Sequence, residues 1–206
     1  MLSIAPMNLA RAQYHEHALV RGLDDYYSEW GKRPGSWWGA GAELLGLEGP
    51  AEAGSIVSLI EGRDPNTGLA LRRPQADRLV RRRAFDPESG EVVERLVELK
   101  RVGGWDFAVS APKNLALAFG DQETRREVLA AHRAGVAAAL QLLEVEAIRV
   151  RVGHNGIERH STHGLVGVVI EHAWARTVSE DAAPNPQLHT HVVVGNMAKS
   201  AEDECE

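Results

Sequence analysis

Three histidines, one aspartate and three tyrosines carry most of the chemistry that residue type and spacing suggest in this chain. His189-Thr190-His191 separates two imidazoles by two residues. On a strand such residues point to one face, so both rings can converge on one ion. His172 falls near the end of the preceding expected strand, and an antiparallel return through 175–187 would bring it alongside. Three neutral imidazoles with open positions suit a divalent metal that must still bind a phosphate. The same pair also fits ordinary strand histidines. Asp106 lies in Trp105–Ser110, where Trp105, Phe107 and Val109 share one face, expected toward the core, and Asp106, Ala108 and Ser110 share the other. A carboxylate there could orient a metal-bound imidazole or accept a proton, or simply be solvated or salt-bridged. Tyr14, Tyr26 and Tyr27 are the chain's only tyrosines, all within its first 27 residues. A deprotonated tyrosine hydroxyl can attack phosphorus and hold a covalent phosphodiester, which conserves the energy of the broken strand. Core or interface packing is the competing use of a tyrosine.

The remaining histidines invite blander readings. His15-Glu16-His17 has the same spacing as the strand pair, but on a helix those rings lie about 200° apart. His154 belongs to a glycine-flanked turn, His160 and His163 to a polar loop, and His132 to a helix face.

The elements that must position these groups read as an α+β mixture. Leu2-Ser3-Ile4 starts a strand, and Asn8 caps a helix that runs through Ala12 and His15 until Gly22. Lys32 to Gly41 is a loop rich in Gly, Pro and Trp, followed by short helices over Ala42–Leu47 and Ala53–Glu61. Little clean periodicity marks Gly62 to Gly104, apart from a turn at Asp86-Pro87-Glu88-Ser89-Gly90. Pro112 opens a short helix to about Phe119, and Gln122 to about Ala147 is a long helix with Val128, Ala131, Gly135, Ala139 and Leu142 on its core stripe. Strands follow at Ile148–Val152, Leu165–Ala173 and Leu188–Asn196, separated by glycine- and proline-bearing loops. The late strands are expected to be antiparallel, and the chain to form one domain.

Composition excludes several classes. One cysteine, Cys205, excludes an internal disulfide framework and a cysteine-built zinc site. No stretch approaches eighteen unbroken apolar residues, so neither a membrane span nor a secretory signal is expected. A net charge of −6 argues against coating nucleic acid by bulk charge. Its distribution is uneven, however: four acids crowd the last five residues, whereas residues 62–83 hold seven arginines against two aspartates. Arg78, Arg81, Arg82 and Arg83 in that cluster are candidates for phosphate contact, and Trp37 or Trp38 for base stacking. A solvated loop and core packing are the respective alternatives.

Taken together, these segments resemble the relaxase domain of MobF-type conjugative relaxases (TrwC/TraI-like) in the HUH endonuclease superfamily. The resemblance rests on Met1-Leu2-Ser3 with Tyr14, Asp24-Asp25-Tyr26-Tyr27, the run Gly39-Ala40-Gly41-Ala42-Glu43-Leu44-Leu45-Gly46-Leu47, Trp105 to Lys113, and His172-Ala173-Trp174-Ala175-Arg176 with Pro186-Gln187-Leu188-His189-Thr190-His191. It implies an antiparallel palm sheet with flanking helices. The implied activity is metal-dependent nicking and transfer of one DNA strand at a transfer origin. Tyr14 matches the first nucleophile, which forms a 5′-phosphotyrosyl enzyme, and Tyr26, or else Tyr27, the second. His172, His189 and His191 match the metal triad, with Mg²⁺ or Mn²⁺ the expected ion, and Asp106 matches the aspartate that orients a metal histidine and can assist Tyr14. Lys113 joins the arginines as a candidate DNA contact. Expected partners are single-stranded or hairpin origin DNA, with relaxosome and coupling proteins, in the bacterial cytoplasm.

Departures from the family pattern accompany the match. Tyr14 is followed by His15 where the family has a second tyrosine, and Ala108 and Asn114 replace hydroxyl-bearing residues. The chain also stops about ten residues after the expected metal strand. The expectation is therefore a single domain over residues 1–206, C-terminally truncated and without a helicase. Two alternatives to a nickase stay open: a non-catalytic DNA-binding remnant or regulator, and an unrelated metallohydrolase.

Overall fold

The computed structural model describes residues 1–21, 35–73, 77–115, 121–153, 156–174 and 185–201. Its centre is a five-stranded antiparallel sheet in the order β1-β5-β9-β8-β2. The strands are β1 (Leu2–Met7), β2 (Ser36–Trp38), β5 (Gly104–Ser110), β8 (Gly167–Trp174) and β9 (Pro186–Gly195). Helices α1 (Leu9–Arg21), α2 (Ala40–Leu44) and α3 (Ser55–Glu61) precede β5, and α4 (Gln122–Leu142) follows it. Two short ribbons stand apart from the sheet: β3 (Arg78–Phe85) with β4 (Val92–Leu99), and β6 (Val150–Val152) with β7 (Glu158–His160). This is the α+β, antiparallel palm expected.

Residues of period two divide the sheet into two working faces. Cross-strand partners share a face, so the register Asp106↔Val193, Ala108↔His191 and Ser110↔His189 puts Asp106 with the histidine pair. Val168 and Ile170 join that face through Val193 and His191, and α1 and α3 cover it with Ala12, Ile56 and Ile60, packed together with Met7 of β1. The other face carries Phe107, Val192 and Val194, packed against Val136 and Leu140 of α4.

Two polar devices fix the covering elements. Asn8 Oδ1 accepts from the Arg11 amide at 3.0 Å, the N-cap expected for α1. Glu16, 8% exposed, accepts from the amides of Gly54, Ile56 and Val57 and so binds α1 to the start of α3. Charge-assisted bonds of this kind are worth about 1.5–3 kcal/mol each. The Gly39–Leu47 run has an equally local reason. A Cβ on Gly39 would sit 2.2 Å from the Leu165 carbonyl oxygen, and one on Gly41 2.9 Å from it. Only glycine lets α2 approach the entry to β8 so closely. A π-helical turn at Leu143–Ala147 then delivers Glu144, whose Oε1 accepts from the amides of Ala40 and Leu165.

The structure corrects several expectations. Residues 36–38, expected in a loop, form β2, because Trp37 and Trp38 pack into the core on β8. The tryptophans are thus core residues rather than stacking platforms. Trp105 is 37% exposed although Phe107 is buried, since only the latter lies under α4. The buried stripe of α4 is Val136 and Leu140; Ala131, Gly135, Ala139 and Leu142 are exposed. Its sheet-facing side also includes His132 and Arg133 in polar contacts, so the apolar pattern misplaced the face. By length and composition Gln122–Ala147 would suffice to cross a membrane, its most apolar 18-residue window having a mean hydropathy of 1.3. Here its polar and apolar contacts are with the sheet. His160 lies in β7 rather than a loop, and residues 78–99 form a ribbon that alternation had not revealed because both its faces are largely exposed.

Candidate metal and nucleophile site

The antiparallel return from β8 to β9 pairs His172 directly with His189, as the sequence spacing requires. Ring centroids stand 5.2 Å apart for His172–His189, 5.2 Å for His189–His191 and 5.7 Å for His172–His191. The three imidazoles therefore form one cluster on the α1 face of the sheet. His191 Nδ1 lies 2.8 and 3.1 Å from the two carboxylate oxygens of Asp106. An ionised carboxylate can only accept, so His191 donates through Nδ1 and its Nε2 keeps a lone pair. His189 Nδ1 likewise donates to the Gln187 carbonyl at 2.9 Å, again leaving the lone pair on Nε2. Metal-binding imidazoles are held in this way by a hydrogen bond on the opposite nitrogen.

The electrostatics favour the neutral form of His172 and His189. Burial, together with the neighbouring imidazoles and against the pull of Asp106, lowers the His172 pKa to about 4. Burial is also the main cause lowering His189, opposed by its bond to Gln187. For Asp106, burial favours the protonated acid, but His15 and His191 at its oxygens override that and hold it well below the usual carboxylate range. The donors present thus fit a divalent cation: imidazole nitrogens with free lone pairs, and a carboxylate behind one of them.

His15 is the residue that sequence reasoning set aside. It is 5% exposed, its Nε2 stands 3.5 Å from Asp106 Oδ2, and its ring centroid is 4.9 Å from that of His191. Its Nδ1 is buried with no hydrogen-bond partner among the described residues. His15, Asp106 and His191 form a second donor set, with one ligand atom from each within 4.8 Å of the others. An ion in that set would compete with the 2.8 Å bond between Asp106 and His191, whereas the three-histidine cluster leaves it intact. The signal available in the sequence was the helical stripe Ala12, His15, Glu16, all three buried. Comparing His15 with His17 obscured it, because only one of two residues so spaced can face the sheet.

Tyr14 borders the cluster through His15, at a ring-centroid distance of 5.5 Å, and is 46% exposed. A half-exposed tyrosine next to His15 is accessible to a polymeric substrate. Tyr26 and Tyr27 lie outside the described residues. Lys113 is exposed and follows the end of β5 at which Ser110 pairs with His189. Arg78, Arg81, Arg82 and Arg83 are not brought to the histidines. They occupy the β3–β4 ribbon, which joins the sheet at the opposite, Gly104 end of β5. Alternation puts Arg78 and Arg82 on one ribbon face with Arg95, which is paired directly with Arg82. Arg81 and Arg83 share the other face with Glu94 and Glu98, and Arg83 lies 3.6 Å from Glu94.

Comparison with known proteins places this geometry. A model of the TrwC relaxase family matches residues 9–205. The chain belongs to the TrwC relaxase family. Among curated proteins of that family, the multifunctional conjugation protein TraI of Escherichia coli is 31% identical over 181 residues, covering 85% of this chain and 8% of TraI. A copper-bound structure of the conjugative relaxase TrwC in complex with oriT DNA superposes with a TM-score of 0.66 at 28% identity. It covers 98% of this chain and 59% of the TrwC chain. A second, metal-bound TrwC–oriT structure gives 0.63 at 25% identity. This chain thus spans well under two thirds of the relatives it matches.

Proposed function

We propose that this chain is a metal-dependent, site- and strand-specific DNA nickase and strand transferase acting at a conjugative transfer origin. The observation that carries the reading is the convergence of His172, His189 and His191 on the Asp106 side of the sheet, with Tyr14 at its rim. Family membership supports it, as do the metal and oriT DNA found together in the TrwC structures.

In this reading His172, His189 and His191 hold a divalent ion, Mg²⁺ or Mn²⁺. When bound, it polarises the non-bridging oxygens of the scissile phosphate and offsets charge in the transition state. The Tyr14 oxygen, giving up its phenolic proton to solvent, forms a bond to phosphorus while the bond from phosphorus to the 3′ oxygen breaks. The products are a 5′-phosphotyrosyl enzyme and, once the leaving oxygen takes a proton, a free 3′-hydroxyl. Both Asp106 oxygens face His191 Nδ1 and Oδ2 also faces His15, so the role of Asp106 is to orient His191. Tyr26, or failing it Tyr27, supplies the second nucleophile for strand transfer. Lys113 and the arginines Arg78, Arg81, Arg82 and Arg83 contact DNA phosphates. Single-stranded or hairpin DNA is the substrate in the bacterial cytoplasm, alongside relaxosome and coupling proteins.

Single-stranded origin oligonucleotides incubated with the protein and Mn²⁺ test the proposal. The expected result is a denaturant-resistant protein–DNA adduct that chelation and Tyr14→Phe each abolish. Oligonucleotide binding without any adduct, insensitive to both treatments, would instead identify a non-catalytic DNA-binding remnant.

A further inference from the structure

Behind the histidine cluster, on the opposite face of the sheet, α4 makes two polar contacts with the strands that carry the ligands. His132 Nε2 and Thr190 Oγ1 share a hydrogen bond of 2.9 Å. Arg133 donates from Nε and Nη2 to the two oxygens of Glu171, both at 2.7 Å. Thr190 and Glu171 are partners of one another across the β8–β9 ladder. Thr190 sits between His189 and His191, and Glu171 immediately precedes His172. Adjacent residues of one helix therefore grip the single ladder rung that is interleaved with all three imidazoles.

The location of that rung gives the grip a purpose. The ladder is regular as far as His172↔His189, and its register shifts between His172 and Trp174. His172 and His189 thus occupy the last regular rung before an irregularity, with His191 two rungs behind it, where backbone pairing alone constrains strand separation least. Apolar contacts of α4, through Val136 and Leu140, lie further along the sheet against Phe107, Val192 and Val194. Thr190 is 2% exposed, and the Arg133–Glu171 pair is bidentate and partly buried, the geometry in which such pairs fix position.

We propose that His132 and Arg133 are positioning residues of the metal centre, clamping the Glu171–Thr190 rung so that His172, His189 and His191 are presented at the separation an ion requires. The inference rests on the reading of those three histidines as metal ligands. Small displacements matter there, since coordination distances tolerate only about 0.2 Å.

The test measures Mn²⁺ binding by calorimetry, and the Mn²⁺ dependence of adduct formation, for the full chain and for His132→Leu, Arg133→Gln and Arg133→Lys. A His189→Ala protein sets the level without a site. The clamp predicts Mn²⁺ affinity lowered about 10-fold or more in His132→Leu and Arg133→Gln, less in Arg133→Lys. It also predicts adduct formation restored by excess Mn²⁺. Unaltered affinity in proteins whose melting temperature has fallen means that the contacts serve folding only, and overturns the inference. Should the single variants fail to fold, the charge exchange Arg133→Glu with Glu171→Arg decides: wild-type affinity supports the clamp, and lost affinity in a folded protein refutes it. A parent chain that binds no more Mn²⁺ than His189→Ala overturns the ligand assignment itself.

Discussion

Replacing Asp106 by asparagine removes one charge and nearly no volume, and its consequence can be worked from the site. The two carboxylate oxygens lie 2.8 and 3.1 Å from His191 Nδ1, and Oδ2 lies 3.5 Å from His15 Nε2. An asparagine has one oxygen for these two imidazoles. If its amide nitrogen turns toward His191, the imidazole proton moves to Nε2, the atom that must bind the ion. If its oxygen does, the bond survives without its charge. A hydrogen bond to a charged group is worth about 1.5–3 kcal/mol, and each 1.4 kcal/mol is a factor of ten. Asp106→Asn should therefore weaken Mn²⁺ binding roughly 10- to 100-fold, the range typical of partners that orient ligands. Isothermal titration with Mn²⁺ measures it directly, with the far-ultraviolet spectrum reporting the fold. Affinity within about twofold of the parent, in a folded protein, would refute the orientation argument.

Two further outcomes follow from charge. The His172 pKa falls to about 4 in the folded protein against about 6.5 unfolded, so the unfolded chain binds the extra proton between those values. Stability is then complete above pH ~6.5 and declines as the pH falls toward 4, by about 3 kcal/mol. Metal-free thermal melts between pH 7.5 and 4.5 should show this decline, reduced in His172→Gln; parallel curves would contradict it. On the β3–β4 ribbon, Arg78→Gln with Arg82→Gln removes two cations from one face. The plot of log affinity for origin DNA against log salt should become shallower by about 1.4–1.8, and an unchanged slope would remove the ribbon from the DNA contact.

The part of the site carried by strands was legible because strand alternation is local. Asp106 opposite the Phe107 face and His189 beside His191 follow from period two, and the pairing with His172 from a single antiparallel return. Asn8 was legible as a cap for the same local reason. Tertiary facts were not. His15 acquires its place only when α1 lies across the sheet, where Glu16 anchors it to α3. The core side of α4 was misread because half of its sheet contact is polar, through His132 and Arg133, and an apolar stripe cannot report such contacts. Neither ribbon face is buried enough to impose alternation on residues 78–99, so Arg78 to Arg83 looked like a charged loop.

In the proposed reaction Tyr14 attacks a DNA phosphate beside a divalent ion held by His172, His189 and His191. The most direct measurement of that attack is mass spectrometry of the protein after reaction with a cleavable single-stranded origin oligonucleotide and Mn²⁺. The account predicts a tryptic peptide containing Tyr14 that carries the 5′-phosphate of the downstream fragment, absent from the His189→Ala protein. A nucleotide-bearing peptide lacking Tyr14, or cleavage that leaves no phosphotyrosine at all, would contradict it.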